Sequence, residues 1–549
     1  MKRIVSALLC VALVVCVFAG CGKKDNGIKK GDGSTITIGL CTKALVEDYD
    51  NNALTKWLEE ESGYNIEFMY FSSNGNDAKS QIATMMAGGE KLPDILLGIG
   101  LGTEVYTEYG DDGYFRDLKE YFDDEEKSKI FWDRFEKLPE LDQESYRCQL
   151  SNPESGAMYA FPRLETSDID IMDYTMYINQ KWLKKLNLAV PTNMAELEKV
   201  LKAFKDNDCN GNGNATDEIP LIGSVGSLGG DVVNWIINQY VYFTDERYFN
   251  LENGKLTVPF TSEAYRKGLI KANQLVKDGL LSSMSLTVGS KELRAMICPV
   301  TDANGKIDDA QELVGCFAGH LTLELENDNP AVYDYVPLDY WGNCLKKDNL
   351  HSFNTFITED CENPDAAWDI LMLLTTEEGS YRMRYGEKGK DWTDADKGTK
   401  SYIGRDAEIK IINNVFGQQN NSIWCIVAAT ILINSENEVT QVEDASEWMT
   451  YRNKIFGEAH DKYMAAAEKN NPKELLPIIV YTTEEKEQYD MIMSNCKSVV
   501  NTARSAFVSG TQDPSNDAQW NKYKSDLEAQ GLKDWHALAQ KAYDRQLKK

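Results

Sequence analysis

The run Asp206-Asn-Asp-Cys-Asn-Gly-Asn-Gly-Asn-Ala-Thr-Asp217 has the composition of a cation-binding loop. Calcium collects about six to eight oxygen ligands, and glycine lets the backbone fold tightly around the ion. In the register of an EF-hand loop, Asp206, Asp208 and Asn210 take the first three ligand positions, and Asp217 closes the loop in place of the usual Glu. The alternative is a surface turn, because Asn and Gly tolerate left-handed backbone. The dense spacing favours calcium.

A helix and a strand must position this loop. Asn193 and Glu196 form a capping-box pattern at a helix start, and apolar residues at helical spacing follow up to Phe204. Ile219 begins an apolar strand directly after the loop. In the EF-hand register Gly211 is the turn, Asn212 offers its carbonyl and Asn214 takes the ninth position. The loop is therefore predicted to be a clasp between a helix and a strand.

The N-terminus carries a targeting signal. Lys2-Arg3 precede an apolar run from Ile4 to Phe18, which has the length of a secretory signal and is too short to span a membrane well. The run ends in Phe18-Ala19-Gly20-Cys21, which resembles a bacterial lipobox with Cys21 as the lipidated residue. A plain secretory signal is the alternative. We therefore predict a signal peptide over 1–20 and a flexible tether over 21–34.

Charge and length limit the classes of function. The 549 residues carry a net charge of −29, and 42% of them are hydrophobic. A chain this long divides into at least two domains. Nucleic-acid binding is excluded because phosphate contacts need a basic surface. The loop Gly98–Thr103 lacks the GKS/T ending of a P-loop, so nucleotide binding is disfavoured as well.

Hydrophobic periodicity predicts an α/β fold. Residues 35–98 read as strand, helix, strand, helix and strand, an order that implies a parallel sheet with helices on both faces. The pair Asn253-Gly254 between alternating residues predicts a hairpin. From Asp444 onward the pattern is mostly helical. The fold class is therefore α/β with a helical C-terminal region.

An ordered set of short runs resembles the extracellular solute-binding lipoproteins of bacterial ABC importers, specifically the larger carbohydrate-type members of solute-binding family 1. The similarity covers nearly the whole mature chain. The matching runs are Met85–Gly89, Leu92–Ile95, Gly113–Leu118, Gly156–Pro162, Tyr177–Leu188, Pro191–Thr192, Leu201–Lys205, Asp217–Pro220, Asn363–Trp368, Tyr385–Trp392, Phe507–Gly510 and Trp520–Tyr523.

This resemblance implies a periplasmic-binding-protein-like fold in which two α/β lobes, joined by a hinge, close over a sugar. We expect a first crossing near 161–173, a return near 290 and a third crossing near 360. The N-terminal lobe is then 35–165 with about 290–360. The C-terminal lobe is 166–289 with about 361–510, and 511–549 is a helical segment.

The resemblance also implies a structural calcium ion. Its ligands would be Asp208, Asn210, Asn212, the backbone at Asn214, Asp217 and Glu218. This sequence has one residue more before the Asp217-Glu218 pair than the family pattern, which leaves open whether Asp206 joins.

The function implied is that of a monomeric receptor, lipid-anchored on the extracellular face of a bacterial cell membrane of the Gram-positive type, that passes a sugar or oligosaccharide to ABC permease subunits. Aromatic faces and planar polar groups grip sugars. The candidates for ligand contact are Trp235, Tyr240, Tyr340, Trp341, Trp392, Trp424, Asp339, Ser72 and Asn74. For each aromatic residue, packing in a core is the alternative. The rival function is a surface-anchored polysaccharide-degrading enzyme, whose two carboxylates would lie about 5 to 9.5 Å apart.

Overall fold

A computed structural model describes residues 28–167, 172–226, 229–297, 309–319, 333–346, 349–401, 403–434, 440–441 and 447–548. The predicted signal peptide and Cys21 lie outside the described residues. In the part of the chain that is described, no helix is both long and apolar enough to cross a membrane.

The strands form one large sheet, one three-stranded sheet and two small hairpin-like pairs. In chain order they are β1 (Thr35–Cys41), β2 (Asn65–Phe71), β3 (Ile95–Leu96), β4 (Phe161–Glu165), β5 (Met176–Asn179), β6 (Asn250–Glu252), β7 (Lys255–Thr257), β8 (Cys316–Ala318), β9 (Tyr335–Pro337), β10 (Leu350–Ile357), β11 (Trp392–Asp394), β12 (Ile409–Ile411) and β13 (Ile431–Leu432).

The helices cover the sheets and form most of the C-terminal part. They are α1 (Ala53–Ser62), α2 (Gly75–Gly88), α3 (Thr103–Asp111), α4 (Lys119–Asp123), α5 (Lys129–Phe135), α6 (Glu140–Leu150), α7 (Gln180–Lys185), α8 (Met194–Lys205), α9 (Val232–Asn238), α10 (Glu263–Lys277), α11 (Ser290–Ile297), α12 (Pro364–Thr375), α13 (Glu377–Tyr385), α14 (Glu447–Asn470), α15 (Thr483–Ser509), α16 (Asp517–Ala529) and α17 (Leu532–Gln546).

The first lobe is built on a six-stranded sheet in the order β13-β4-β10-β3-β1-β2. β1 pairs in parallel with β2 and with β3, as the alternation of the first hundred residues predicts. β10 runs antiparallel between β3 and β4. Side chains of β1 at 36, 38 and 40 are buried, and they pack with α1, α12 and the apolar residues of the sheet.

The second lobe is built on the antiparallel sheet β8-β5-β9. Two parallel bridges, Ile219 with Val314 and Ile222 with Phe317, add the segment after the Asn/Gly loop to its edge. α8, α9, α10 and the C-terminal helices pack around one core with β5. Asn253 and Gly254 take left-handed backbone between β6 and β7, which forms the predicted hairpin.

The lobes divide the chain differently from the sequence-based division. β10 lies between β3 and β4, so the chain is already back in the first lobe at Leu350. α12 and residues 424–431 share the buried core of that lobe, whereas β8 and β9 pair with β5 in the second lobe. The chain therefore passes to the second lobe between 167 and 172, returns between 346 and 349, and passes to the second lobe again after 441, because residues 440 and 441 still pair with residues 409 and 401. Crossings near 290 and 360 were expected because loop-rich composition marks a boundary without saying which sheet the next strand joins.

The C-terminal helices belong to the second lobe. Thr482 and Glu485 form a reciprocal capping box that starts α15, and Gly510 ends this helix in left-handed backbone. Phe507, Trp520 and Trp535 are buried in the same core as β5 and α10. The predicted segment 511–549 is therefore helical, as expected, and it is continuous with the packing of the lobe.

Candidate ligand cleft and cation-binding loop

The carboxyl ends of three parallel strands define one edge of the first lobe. β1, β2 and β3 run in the same direction, so the residues that follow them, 42–43, 72–74 and 97–102, share this edge. β10 runs the opposite way and begins at the same edge, directly after the crossing that ends at Asn349. Ligands of open α/β sheets bind outside the carboxyl ends of the strands. This edge is the candidate binding surface of the first lobe.

Ser72 and Asn74 lie at this edge, in the turn that starts α2. Asn74 Oδ1 accepts hydrogen bonds from the Asn76 and Asp77 N–H groups at 2.9 and 3.4 Å, and the Ser72 hydroxyl accepts from the Asn74 N–H at 3.2 Å. The Asn74 side chain is exposed. Because its oxygen caps the helix, its amide nitrogen is the group that can meet a ligand.

Sequence reasoning missed a half-exposed aromatic side chain near the same edge. Tyr70 is the penultimate residue of β2 and is 49% exposed. Its ring is nearly parallel to that of Phe68 at 6.1 Å and lies 5.4 Å from that of Tyr49. The signal in the sequence is the strand alternation, which puts residues 68 and 70 on one face. Tyr70 is therefore an aromatic surface that a sugar ring could cover.

In the second lobe, three chain segments meet beside the first crossing. The Thr175 hydroxyl donates to Gly319 O at 2.5 Å, and Gly319 N donates back to Thr175 O at 3.0 Å. Leu338 N donates to Met176 O at 2.9 Å. The start of β5, the end of β8 and the segment after β9 therefore form the edge of the second lobe that lies next to the hinge.

Asp339 and Tyr340 lie at this second-lobe edge, and both are engaged within the lobe. Asp339 pairs with Lys462 at 2.8 Å. The Tyr340 hydroxyl accepts from Met176 N at 3.3 Å, and its ring packs edge-on against Tyr463 at 5.0 Å. Burial raises the pKa of Tyr340 well above its ordinary value. Tyr340 therefore packs within the second lobe, beside the hinge.

The tryptophans chosen from the sequence separate into buried and partly exposed side chains. Trp392 and Trp424 are 1% and 0% exposed, and their indole N–H groups donate to Gly386 O and Thr55 Oγ1 at 2.8 and 2.9 Å. Their rings are covered by the first lobe itself. The expectation that they offer a face to ligand is corrected accordingly: both are core residues.

The other three aromatic candidates of the second lobe differ in the same way. Trp235 on α9 is buried and meets the ring of Trp341 edge-on at 5.7 Å. Trp341 is only partly buried, and Tyr240 is 37% exposed. Trp235 is thus another core residue, and Tyr240 and Trp341 keep an accessible surface.

The crossings are tied together on the first-lobe side by side-chain hydrogen bonds. Asn349 Oδ1 accepts from Ser167 N at 2.8 Å, and Asn349 Nδ2 donates to Asp142 Oδ2 at 2.7 Å. Asn434 N donates to the Thr166 hydroxyl at 3.0 Å. The first two crossings are therefore joined where they leave and re-enter the first lobe, and the end of the segment that contains β13 is fixed beside them.

One tyrosine of α14 does the same on the second-lobe side. The Tyr463 hydroxyl, which is buried, donates toward the carbonyl oxygens of Asp173 and Leu345 and accepts from Asp173 N. Asp173 and Leu345 stand at the ends of the first two crossings. The described residues at the second-lobe ends of the first two crossings are thus fixed within that lobe, as the ends of a hinge are.

The Asn/Gly loop is folded by its own oxygens. Asp208 Oδ1 accepts from the N–H groups of Gly211 and Asn212 at 2.7 and 3.1 Å, and Asp208 Oδ2 accepts from Gly213 N at 3.0 Å. Asn212 Oδ1 accepts from Asn214 N at 2.7 Å. Gly211 and Gly213 have φ of 79° and 88°, a left-handed conformation that glycine adopts without a steric penalty.

Two carboxylates close the loop with unsatisfied oxygens. Glu218 is 9% exposed, and its Oε1 accepts from Cys209 N at 2.6 Å. Its Oε2 and Asp217 Oδ1 are buried, and neither accepts a hydrogen bond from the described part of the chain. Burial, opposed by these backbone hydrogen bonds and reinforced by Asp217, raises the pKa of Glu218 above its ordinary value. Buried acceptors without donors are what a cation would satisfy.

Asp206, whose part in the loop the sequence leaves open, has a partner outside the loop. Its side chain pairs with Lys202 at 2.8 Å, one turn back along α8, and is exposed. Within the described residues, no three His, Cys, Asp or Glu side chains are grouped to hold a metal ion. A cation at this loop would accordingly depend on Asn oxygens and backbone carbonyls beside the carboxylates, which is a donor set that suits calcium.

No family model matches the chain. The fructooligosaccharide ABC transporter substrate-binding protein FusA of Streptococcus pneumoniae serotype 4 is 22% identical over 568 residues, which cover 98% of this chain and 97% of FusA. Lipoprotein LipO of Bacillus subtilis strain 168 is 25% identical over 276 residues, half of each chain.

Solved structures show the same architecture. An HMO binding ABC-transporter associated solute binding protein from Bifidobacterium longum infantis superposes with a TM-score of 0.68 at 20% identity, over 94% of this chain and 99% of that one. An EF-hand mutant of S. pneumoniae FusA in complex with fructo-nystose has a TM-score of 0.62 at 19% identity, over 94% of this chain and all of that one.

The fold matches that of two-lobe solute-binding proteins, which confirms the predicted fold class. The chain is similar over nearly its whole length to a protein named as an ABC transporter substrate-binding protein, as the resemblance of its short runs indicates. The relatives and structures reported above are named as binding proteins or as a lipoprotein, and this favours a receptor over the rival polysaccharide-degrading enzyme.

Proposed function

We propose that this protein captures an oligosaccharide between its two lobes and delivers it to the permease subunits of an ABC importer. The observation that carries the proposal is that each lobe has a strand edge beside the crossings, and that hydrogen bonds fix the residues at the ends of the first two crossings. The relative FusA has been solved with kestose and with fructo-nystose, which makes short oligosaccharides the first ligand class to test.

Affinity in this proposal comes from lobe closure. A ligand that contacts both edges stabilises the closed arrangement over the open one, and it shifts the equilibrium by its difference in affinity for the two. The fixed points at Asn349 and Tyr463 let the lobes move as rigid bodies. The crossings between them take up the change in backbone angles.

The proposed ligand groups are those that combine exposure with a place near the edges. Sugars present apolar C–H faces that aromatic rings cover and hydroxyls that planar amides bind. In the first lobe we propose Tyr70, with Ser72 and Asn74 beside it. In the second lobe we propose Trp341 and Tyr240 as the aromatic contacts. Trp235, Trp392 and Trp424 are left out because their own lobe covers them.

We also propose that the Asn/Gly loop holds a calcium ion with a structural role. Asp208, Asn210, Asn212, the backbone at Asn214, Asp217 and Glu218 would hold it, and Asp206 would not. Bound calcium would supply positive charge to the two buried carboxylate oxygens that lack donors. The relative whose EF-hand was mutated supports a cation site in this group of proteins.

The place of this loop argues for structure over ligand binding. Ala310 O accepts from the amides of Asn210 and Asn212, so the loop contacts the chain just before Val314, which forms a bridge with Ile219. The chain then continues into β8, which ends at Ala318 next to the hinge. With a rise of about 3.3 Å per residue, Val314 and Ala318 are roughly 13 Å apart. The loop and the hinge edge thus lie at opposite ends of the second-lobe sheet.

The anchor and the setting complete the proposal. Cys21 would be lipidated and become the first residue of the mature chain, and 22–34 would tether the lobes to the outer face of the membrane. LipO, a relative over half of this chain, is a lipoprotein. We propose that the protein works there as a monomer.

The test is a thermal-shift and calorimetric screen of the chain without residues 1–21 against kestose, nystose and oligosaccharides of other linkages. We expect one class to raise Tm and to bind with one-to-one stoichiometry. Product analysis after incubation serves as the control for hydrolysis. Release of new reducing ends would contradict the receptor, and the absence of any stabilising oligosaccharide would contradict the ligand class.

A further inference from the structure

A buried arginine connects the C-terminal helices to the hinge side of the second lobe. Arg504 lies on α15, and its Nη1 donates to Asp231 Oδ2 and to Asn234 Oδ1, both at 2.7 Å. Only 16% of the Arg504 side chain and 22% of the Asp231 side chain are exposed. Separating a largely buried charge pair of this kind is costly, because little water is available to solvate either charge.

The hydrogen bonds continue from α9 to the first crossing. Asn234 Nδ2 donates to the Tyr174 hydroxyl at 3.0 Å, and that hydroxyl donates to Asp245 Oδ1 at 3.4 Å. Asn234 is fully buried and Tyr174 is 5% exposed. Asn234 and Tyr174 each accept one hydrogen bond and donate the next, whereas Arg504 only donates and Asp245 only accepts. The series therefore has a fixed direction, from Arg504 through Asn234 and Tyr174 to Asp245.

The backbone of Tyr174 has an unusual conformation. It directly follows Asp173, where the first crossing enters the second lobe, and its φ is 56°, a conformation that non-glycine residues rarely adopt. A backbone in this region persists when its surroundings hold it there. The hydroxyl bonds of Tyr174 are part of that hold.

A loop beside the crossing is fixed by the same residues. Asp231 Oδ1 accepts from the N–H groups of Val233 and Asn234, which starts α9 directly after this loop. At Gly229, a Cβ atom would lie 3.3 Å from Tyr174 N, so the loop packs on the backbone of the crossing. A shift of Asp231 would therefore also shift Gly229, which packs against the backbone of Tyr174.

We propose that Arg504 is a positioning residue for ligand capture. Through Asp231, Asn234 and Tyr174, it holds the loop 229–231 and the start of β5 as one rigid unit beside the hinge. Arg504 does not touch the ligand in this account. The link to capture rests on the proposed function, whereas the rigidity of the unit is a property of the free protein and can be measured without any sugar.

The test uses Tyr174→Phe, which removes one hydroxyl and keeps the ring. Tyr265→Phe is the matched control, because the Tyr265 hydroxyl is buried near Arg504 and makes no hydrogen bond. In the ligand-free protein, we expect amides of 229–234 to exchange about 2- to 10-fold faster in Tyr174→Phe, the factor that one lost hydrogen bond gives. Tyr265→Phe should match the wild type.

Binding is measured with kestose as the probe. We expect Kd to rise about 2- to 10-fold in Tyr174→Phe while Tm stays within about 2 °C of the wild type. Arg504→Lys keeps a donor for Asp231, so its Kd should lie between those of the wild type and Tyr174→Phe. Unchanged exchange in Tyr174→Phe, or equal acceleration in Tyr265→Phe, overturns the positioning role. If wild type fails to bind kestose, the sugar assignment is in question, and the exchange comparison still decides the role of Arg504.

Discussion

Replacing Glu218 by Gln tests the cation loop most directly. The unsatisfied oxygens Glu218 Oε2 and Asp217 Oδ1 each cost about 1–3 kcal/mol as buried acceptors without donors. A cation that satisfies both therefore recovers about 2–6 kcal/mol. Binding at a hundredfold excess over Kd contributes about 2.7 kcal/mol, which lies within that range. For a lobe of this size, such a contribution raises Tm by about 5–10 °C.

The assay is calorimetric unfolding with calcium and with a chelator. Wild type should show the calcium shift in the transition of the second lobe, and Glu218→Gln should lose most of it, since the amide places a donor where the cation needs an acceptor. Asp206→Asn is the control, because Asp206 pairs with Lys202, and it should keep the full shift. A full calcium shift in Glu218→Gln would refute the assignment, and loss of the shift in Asp206→Asn would restore the EF-hand register.

Three further outcomes follow from burial and charge. Trp424→Ala should lower the stability of the first lobe by about 3–5 kcal/mol in urea unfolding while the second-lobe transition stays in place. Burial, with Asp334 nearby, raises the pKa of Glu312 to about 8. The folded chain then binds this proton more tightly than the unfolded chain, so stability should fall as pH rises from 4.5 to 8, and Glu312→Gln should flatten that dependence in urea midpoints. Chelation should leave Kd for an oligosaccharide within about twofold, measured calorimetrically below the lowered Tm.

The local elements could be predicted because their signals are local. The alternation of Thr35–Cys41 predicts a strand, and these residues form β1. Asn193 caps α8, because its Oδ1 accepts a hydrogen bond from Glu196 N at 3.0 Å. The Asn253-Gly254 turn has the backbone that a tight hairpin requires. In each case a few neighbouring residues specify the geometry.

The division into lobes could not be predicted from the same signals. β10 is an eight-residue strand, and nothing within it states that it inserts between β3 and β4. That placement is decided by contacts with residues about 190 to 260 positions away, such as Phe161 and Leu96.

The residues that contact the ligand were difficult to predict for a related reason. Trp424 lies in an irregular segment and Trp392 begins the short strand β11, so neither residue belongs to a run long enough to show core periodicity, and both are nevertheless buried in their lobe. Exposure depends on what packs above a ring, which periodicity does not report. Tyr70 was missed for the opposite reason, since its regular strand made it look like a core residue.

The second lobe separates its two polar sites along the length of one sheet. The Asn/Gly loop joins α8 to the segment 219–222 at the end where Ile219 N donates to Leu313 O at 2.7 Å. At the other end, Thr175 and Gly319 meet the hinge, and Arg504 holds the adjoining loop through Asp231. In our proposals, a cation at the first end would change the stability of the lobe. The contacts at the second end would fix the position of the residues that follow the first crossing. The cation loop is therefore free to set stability without entering the cleft.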